Sequence, residues 1–328
     1  MNAIVCERFA PLDALVWKEL PDANPGPGEV AIRIRAAGLN FADALLVQGL
    51  YQVRPPCPFV PGSELAGEIV SVGDDVSGFE IGDRVMAFST TMGAFAERGV
   101  FRAGDVMPVP DGVGFEEAAA LLCAHGTAHH ALKQRARLQP GETLLVLGAS
   151  GGTGSAAVQI GKAMGATVMA ACSTSDKLEL ARENGADILI DYTRDDLRAT
   201  VKERTDGKGV DVVYDPVGGD AFDASTRCLA RNGRLLVIGF ASGRIPSIPV
   251  NLALVKEYAV VGVFWGNFVR AEPQVFAENM RELVHWHSDA SIRVPIEDRL
   301  PLERTAEGLA RLVNRQAKGK IVVTSGQT

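Results

Sequence analysis

Three glycines spaced three residues apart, Gly148, Gly151 and Gly154, follow an apolar run that ends at Leu147. Small residues and then apolar residues at helical spacing come next, so the glycines form a turn between a strand and a helix. Glycine leaves the backbone open to an anion, and the free amides of a helix's first turn attract negative charge. The segment therefore predicts a site for the pyrophosphate of a dinucleotide. The alternative is a tight turn that binds nothing.

Short apolar strands and helical segments alternate for more than a hundred residues after this turn. Helical spacing is present at 175–184 and 195–204, and such alternation is typical of βαβ units in a parallel sheet. Ligands of these sheets bind at the carboxyl ends of the strands, where the glycine turn lies. We predict six strands, at 143–147, 167–171, 187–190, 210–214, 234–239 and 259–264.

The composition narrows the class of protein. The chain has 328 residues, of which 47% are hydrophobic, and its formal net charge is −7. This length predicts two domains, and the acidic balance without a basic arm argues against nucleic acid as a partner. No apolar run is long enough for a membrane span or a secretory signal, so we expect a soluble cytoplasmic protein. The five cysteines are scattered, which predicts reduced thiols and no structural zinc.

Residues before about 122 have a different pattern, with many short strands and few helices. The strands are predicted at 30–39, 64–72, 83–88 and 95–100. After about residue 266 the pattern returns to helices and ends in a strand at 320–324. We therefore predict a compact β-rich domain at the N-terminus.

Several short motifs together resemble the zinc-independent quinone oxidoreductase branch (zeta-crystallin-like) of the medium-chain dehydrogenase/reductase superfamily. They occur in the family's order and approximate spacing over nearly the whole chain. The motifs are Asn40-Phe-Ala-Asp43, Gly49-Leu-Tyr51, Pro61-Gly-Ser-Glu64 with Gly67, Gly82-Asp-Arg-Val85, Leu121-Leu-Cys-Ala-His-Gly-Thr127-Ala128 and Gly148-Ala-Ser-Gly-Gly-Thr-Gly154.

The resemblance implies an α/β fold with a Rossmann-type six-stranded parallel sheet domain and a β-rich GroES-like domain. Residues 1–122 would form the GroES-like catalytic domain and 123–266 the Rossmann cofactor-binding domain. Residues 267–328 would return to the catalytic domain, and the active site would be the cleft between the two domains.

Zinc-dependent relatives hold a catalytic metal with two cysteines and a histidine. At the matching positions this chain has Ala37-Gly38, Ser63 and Cys123, so one ligand of three is kept. A single thiolate does not provide the three protein ligands that catalytic zinc requires. His125, His129 and His130 are close together in sequence, but we place His129 and His130 at a helix start and expect packing rather than metal binding. A metal-free mechanism is predicted.

The predicted cofactor is NADPH rather than NADH. NAD-specific folds carry an acidic residue at the end of the second strand, whereas here Ser173 stands there and Lys177 follows one turn later. The resemblance adds Tyr192 as a further contact to the 2′-phosphate. The alternatives are a helix N-cap for Ser173 and a solvated helix face for Lys177. We predict the pyrophosphate contacts at Ser150, Gly151, Gly152, Thr153 and Gly154.

Three residues are predicted to act on the acceptor: Tyr51, Asn40 and Asp43. Tyr51 lies in a loop, and the resemblance to enoyl-thioester reductases of this superfamily implies that it donates to an acceptor carbonyl; the alternative is that it only lines the cleft. A phenol with an ordinary pKa, about 10, donates at neutral pH. Asn40 and Asp43 have a structural alternative, a helix N-cap with an acidic residue in the first turn.

Around the nicotinamide, the resemblance implies contacts from Thr127, at a helix start, and from two loops after late strands. The loop residues are Gly239 and Phe240, and Phe264 and Trp265. Core packing is the alternative for the three aromatic side chains.

We therefore expect an NADPH-dependent, zinc-independent reductase of quinones or α,β-unsaturated carbonyl compounds. One alternative is a 2-enoyl thioester (acyl-CoA) reductase, in which Arg54 and Arg270 could contact the phosphopantetheine arm. Another is a weakly catalytic NADPH-binding or sensor protein. A homodimer formed through the apolar strand at 258–263 is also expected, with packing inside one chain as the alternative.

Overall fold

The computed structural model describes residues 1–326 and divides them into two compact units. One unit consists of Met1–Cys123 with the C-terminal segment from Val294, and the other of Ala124–Arg293. We call them the β-rich unit and the parallel-sheet unit. The strands are β1 Asn2–Val5, β2 Val16–Glu19, β3 Glu29–Gly38, β4 Glu64–Val72, β5 Arg84–Phe88, β6 Arg98–Arg102, β7 Val106–Pro108, β8 Thr143–Leu147, β9 Thr167–Cys172, β10 Ile188–Asp191, β11 Val210–Asp215, β12 Leu229–Val237, β13 Ala259–Gly262, β14 Ile296–Pro301 and β15 Lys320–Thr324.

The helices alternate with these strands mainly in the parallel-sheet unit. They are α1 Phe41–Val47, α2 Phe115–His130, α3 Gly152–Ala163, α4 Ser175–Glu183, α5 Leu197–Arg204, α6 Gly219–Ser225, α7 Val250–Lys256, α8 Trp265–Ala271, α9 Pro273–Ser288 and α10 Thr305–Val313. A π-helical stretch, Ala131–Ala136, continues α2.

The parallel-sheet unit contains one sheet of six strands in the order β10-β9-β8-β11-β12-β13. Every neighbouring pair is parallel. This is the strand order of a dinucleotide-binding Rossmann fold, with the switch of direction next to β8. The prediction of six strands is confirmed. The strands consist mainly of buried apolar residues because helices cover both faces of such a sheet.

The β-rich unit is built on a seven-stranded mixed sheet. Its main path is β14-β15-β3-β4-β5-β7, and β6 also pairs with β3. β15 comes from the end of the chain and pairs antiparallel with β3, so the C-terminal segment completes this sheet. The predicted strand at 95–100 is displaced: β6 begins at Arg98, because Phe95 instead bonds to the loop backbone at Pro61.

The second division of the chain differs from the one we predicted at 266/267. The structure keeps residues 267–293 in the parallel-sheet unit. The ring of Trp265 packs edge-on against Phe276 of α9, and the amide of Arg293 donates to Gln159 Oε1 of α3 at 2.6 Å. Only the segment from Val294 joins the β-rich unit.

Candidate active site

The glycine turn connects β8 to α3 at the carboxyl end of the sheet. Gly148 has a φ of 59°, and its carbonyl oxygen accepts from the amide of Gly151 at 3.0 Å. Gly154 lies so close that a Cβ atom on it would be 2.2 Å from the same oxygen. Glycine is therefore required at Gly154 by the close approach of the backbone.

The first turn of α3 offers amides to an anion. Its N-cap residue is Gly151, which has no side chain to accept from them. The residues of this turn are Gly152, Thr153 and Gly154, and Gly151 itself is exposed. Ser150 is buried and hydrogen-bonds to Cys172, so its side chain is directed to the neighbouring strand. The turn fits a pyrophosphate group.

The three residues predicted for the 2′-phosphate lie at the ends of two adjacent strands. Ser173 follows β9, Lys177 lies in the first turns of α4, and Tyr192 follows β10. The amide of Tyr192 donates to Cys172 O at 3.1 Å. Burial raises the pKa of the Cys172 thiol, and hydrogen bonds with Ser150 and, to a smaller extent, the Lys177 ammonium partly oppose this effect. The N-cap of α4 is Thr174, so Ser173 does not have the capping role that we considered as its alternative.

The late loops of this unit differ in exposure. Gly239 and Phe240 follow β12, and Phe240 lies against Gly218. The ring of Phe264 is 45% exposed, whereas Trp265 is 5% exposed. The indole of Trp265 lies against Gly126, where an added Cβ would be 2.4 Å from it. Of these two aromatic residues, Phe264 is the one that can face a ligand.

The predicted helix start near Thr127 is wrong. α2 begins at Phe115 and ends at His130, so Thr127, His129 and His130 lie at its C-terminal end. The apolar, alanine-rich run that begins with Phe115 forms the earlier turns, and Glu116 in the first turn is favourable for the helix dipole.

Both histidines at the end of α2 are engaged in packing. His129 Nε2 is 2.9 Å from Glu282 Oε2, and His130 stacks on Phe268 with ring centroids 3.9 Å apart. Burial lowers the pKa of each to about 4. Both imidazoles are therefore neutral at physiological pH.

Asn40 and Asp43 form the N-terminus of α1 in the β-rich unit. Asn40 is the N-cap, and its backbone amide donates to Asp43 Oδ2 at 2.9 Å in a capping box, as the structural alternative predicted. Asp43 is 3% exposed. Burial, and secondarily the Glu64 carboxylate, raise the pKa of Asp43 to about 7, although the amide of Asn40 and Lys320 oppose the shift.

Tyr51 lies in the loop after α1, beyond Gly49, whose φ is 70°. Burial raises the pKa of its phenol to about 12, with smaller contributions from Cys123 and Asp43. The structure therefore brings Tyr51, Asp43 and Cys123 into one neighbourhood of the β-rich unit. At neutral pH the phenol is protonated and is a hydrogen-bond donor.

A buried ion pair, Glu64 with Lys320, lies beside these residues and was missed from the sequence. Glu64 Oε2 accepts from the Cys123 amide at 2.7 Å, and Glu64 Oε1 accepts from Asn40 Nδ2 at 2.8 Å. The available signal was weak: Lys320 begins an apolar strand close to the chain end, where lysine is usually solvated.

The positions that match zinc ligands in relatives have other contacts here. Ser63 Oγ donates to Met92 Sδ at 3.2 Å, and Cys123 is a partly buried thiol. Within residues 1–326, no group of three or more His, Cys, Asp or Glu side chains is arranged to hold a metal ion. No helix of that same range is sufficiently long and apolar to traverse a bilayer.

Two family models match the chain. One is described as the alcohol dehydrogenase GroES-like domain and matches residues 26–111; the other, zinc-binding dehydrogenase, matches 152–285. The matches fall on the β-rich unit and on the parallel-sheet unit respectively.

Three relatives cover almost the whole chain. The quinone oxidoreductase-like protein 2 homolog of Nematostella vectensis is 38% identical over 99% of this chain and 89% of its own length. The quinone oxidoreductase of Pseudomonas aeruginosa is 36% identical over 95% of each chain. The solved structure of Escherichia coli quinone oxidoreductase complexed with NADPH is 28% identical, covers 99% of this chain and 100% of that one, and has a TM-score of 0.92. The chain belongs to the quinone oxidoreductase branch of the medium-chain dehydrogenase/reductase superfamily and is an oxidoreductase.

Proposed function

We propose that the protein is an NADPH-dependent, zinc-independent reductase of quinones or α,β-unsaturated carbonyl compounds. The main support for this proposal is the protonated phenol of Tyr51, which lies near Asp43 and Cys123. Cys123 matches a zinc-ligand position of zinc-dependent relatives. When bound, NADPH supplies the hydride, and the protein supplies orientation and a donor for the acceptor oxygen.

The parallel-sheet unit binds NADPH. The amides of Gly152, Thr153 and Gly154, with Ser150 and Gly151 in the preceding turn, contact the pyrophosphate. Ser173, Lys177 and Tyr192 bind the 2′-phosphate, and the absence of a carboxylate from Ser173, where NAD-specific folds carry one, supports this choice. The NADPH complex of the Escherichia coli relative is consistent with it.

Five residues of this unit form or support the nicotinamide site in the proposed complex. Phe264 presents its exposed ring, while Trp265 supports the same loop from the core. Thr127 contributes from the end of α2 and not from a helix start. Gly239 and Phe240 complete the set from the loop after β12.

The β-rich unit acts on the acceptor. Tyr51 donates a hydrogen bond to the acceptor oxygen, which stabilises the negative charge that develops as hydride arrives. Asn40 is partly exposed and adds a second donor. Asp43, with a pKa of about 7 and close to Tyr51, holds a proton near the phenol during part of the physiological pH range.

NADPH oxidation with a panel of acceptors tests the proposal. The panel contains 1,4-benzoquinone, 9,10-phenanthrenequinone, an alkenal and crotonyl-coenzyme A, and absorbance at 340 nm reports turnover. Rapid oxidation with the quinones or the alkenal supports the proposal. Preference for crotonyl-coenzyme A would favour the enoyl thioester alternative, and tight NADPH binding without turnover would favour the sensor. Arg54 and Arg270, the two residues considered for the thioester alternative, are both exposed.

We also propose a homodimer formed through β13. This strand is at the edge of its sheet, and the neighbouring apolar side chains Val250, Leu254 and Val255 of α7 are 73–80% exposed. A second copy pairing with β13 would cover an apolar face that a soluble monomer rarely exposes. Light scattering should give about twice the 34.8 kDa chain mass, and Leu254→Glu should lower it. None of the five cysteines forms a disulfide within residues 1–326, which supports the cytoplasmic location that we predicted.

A further inference from the structure

Lys320, the first residue of β15, is a buried lysine whose ammonium has three protein partners. Nζ donates to Leu39 O at 3.2 Å and to Asn40 Oδ1 at 2.9 Å, and it forms an ion pair with Glu64. Lys320 is 4% exposed and Glu64 is fully buried. An ammonium group has three N–H donors, and all three are used here.

These contacts fix the side-chain amide of Asn40. Its Oδ1 accepts from the Lys320 ammonium, and its Nδ2 donates to Glu64 Oε1. Rotating the amide by half a turn would put its NH₂ against the ammonium and its oxygen against the carboxylate, which is strongly unfavourable. The Asn40 side chain also hydrogen-bonds to the Asp43 carboxyl group, and it is partly exposed.

The carboxylate of Glu64 is itself held on several sides. Its Oε2 accepts from the Cys123 amide in α2, and a Cβ atom added to Gly38 would be 2.1 Å from Oε1. The absence of a side chain at Gly38 therefore makes room for the carboxylate. Four elements, β3, β4, α2 and β15, converge on the ion pair next to α1.

We propose that Lys320 is a positioning residue for reduction, which acts through Asn40. It orients the amide so that an Nδ2–H can pass from the Asp43 carboxyl group to the acceptor oxygen, and its positive charge on Oδ1 strengthens that donor. This inference rests on the proposed reductase function. Replacing a buried ion pair by neutral groups is often neutral for stability, so a purely structural role predicts that a neutral pair would serve equally well.

A charge-balanced double variant, Lys320→Met with Glu64→Gln, tests the proposal. We expect NADPH binding, measured by fluorescence titration, to stay within about twofold, because the nucleotide residues lie in the parallel-sheet unit. The kcat for 9,10-phenanthrenequinone should fall by about 10- to 100-fold, with a smaller change in KM. Lys318→Met removes an exposed charge two residues away and should retain the kcat of the unaltered protein.

A combined variant, in which Asn40→Ala is added to the double variant, tests whether Lys320 acts through Asn40. The combined variant should be no slower than Asn40→Ala alone. Lys320→Arg keeps the charge and the ion pair, so it provides a second variant if the double variant does not fold; its different donor geometry should lower kcat by about 3- to 10-fold. An unchanged kcat in both Lys320 variants would overturn the proposal. It would also be overturned if the loss of kcat in the combined variant equalled the product of the losses in the double variant and in Asn40→Ala. Absence of quinone reduction by the unaltered protein would instead refute the proposed function.

Discussion

The carbonyl oxygen of Gly148 lies 2.2 Å from the position that a Cβ atom on Gly154 would occupy. The two residues hold the first turn of α3 tightly against the end of β8, so that the amides of the helix are open to an anion.

Gly154→Ala should therefore lower stability and abolish NADPH binding, because the helix must move away from Gly148. We expect a loss of about 2 kcal/mol or more in the free energy of unfolding. Gly151→Ala is the matched control: its Cβ would be 3.4 Å from the same oxygen, and its φ of −75° suits alanine. Urea unfolding of both variants makes the comparison, and equal stabilities would contradict the packing argument.

Tyr51→Phe should reduce kcat for quinone reduction by about 10- to 100-fold, because it removes the donor to the acceptor oxygen. NADPH affinity should not change. Tyr258→Phe provides the control, since that hydroxyl is buried and has no hydrogen-bond partner within residues 1–326. If steady-state kinetics gave both variants the kcat of the unaltered protein, Tyr51 would only line the site.

The strands and the glycine turn could be predicted from the sequence because their signals are local. β8 and β9 are apolar runs in the sequence, and they are followed by Gly148 and Ser173 respectively. The observed bounds of these strands differ by at most one residue from the predicted ones. β12 is an exception. It begins at Leu229 rather than at residue 234. Asn232 has a φ of 62°, which is typical of a turn, although it lies inside the strand.

The Glu64–Lys320 pair could not be predicted in the same way. The two residues are 256 positions apart, and only the pairing of β15 with β3 brings them together. The structure divides its two units at 293/294 rather than at 266/267 for a related reason: the contacts that keep α9 in the parallel-sheet unit are long-range, such as His129 with Glu282.

Lys177→Ala should raise the KM for NADPH by about tenfold or more and leave the KM for NADH almost unchanged. The ammonium is proposed to pair with the 2′-phosphate, which NADH lacks. Lys208→Ala, an exposed lysine of the same unit, controls for the change in net charge. An equal effect of Lys177→Ala on both cofactors would defeat the assignment.

Asp43→Asn should change how stability depends on pH. The folded-state pKa of Asp43 is raised to about 7 from an ordinary 3.8, so the folded protein holds this proton more tightly than the unfolded chain does. The contribution of the Asp43 proton to the free energy of unfolding is complete below about pH 3.8 and is lost as pH rises to about 7.

The variant lacks this group, so its free energy of unfolding relative to that of the unaltered protein should increase by about 4 kcal/mol between pH 4 and pH 8. The side-chain amide that replaces the carboxyl group would still offer an oxygen to the backbone amide of Asn40. Urea unfolding midpoints at several pH values measure the difference. A constant difference would show that Asp43 keeps an ordinary pKa in the folded protein.

Turnover by metal-depleted protein tests whether the reaction proceeds without zinc. The purified protein is dialysed against a chelator, its zinc content is measured by mass spectrometry, and NADPH oxidation with 9,10-phenanthrenequinone is followed at 340 nm. We expect full activity with zinc far below one atom per chain. Activity that disappears with the chelator and returns with added zinc would contradict it.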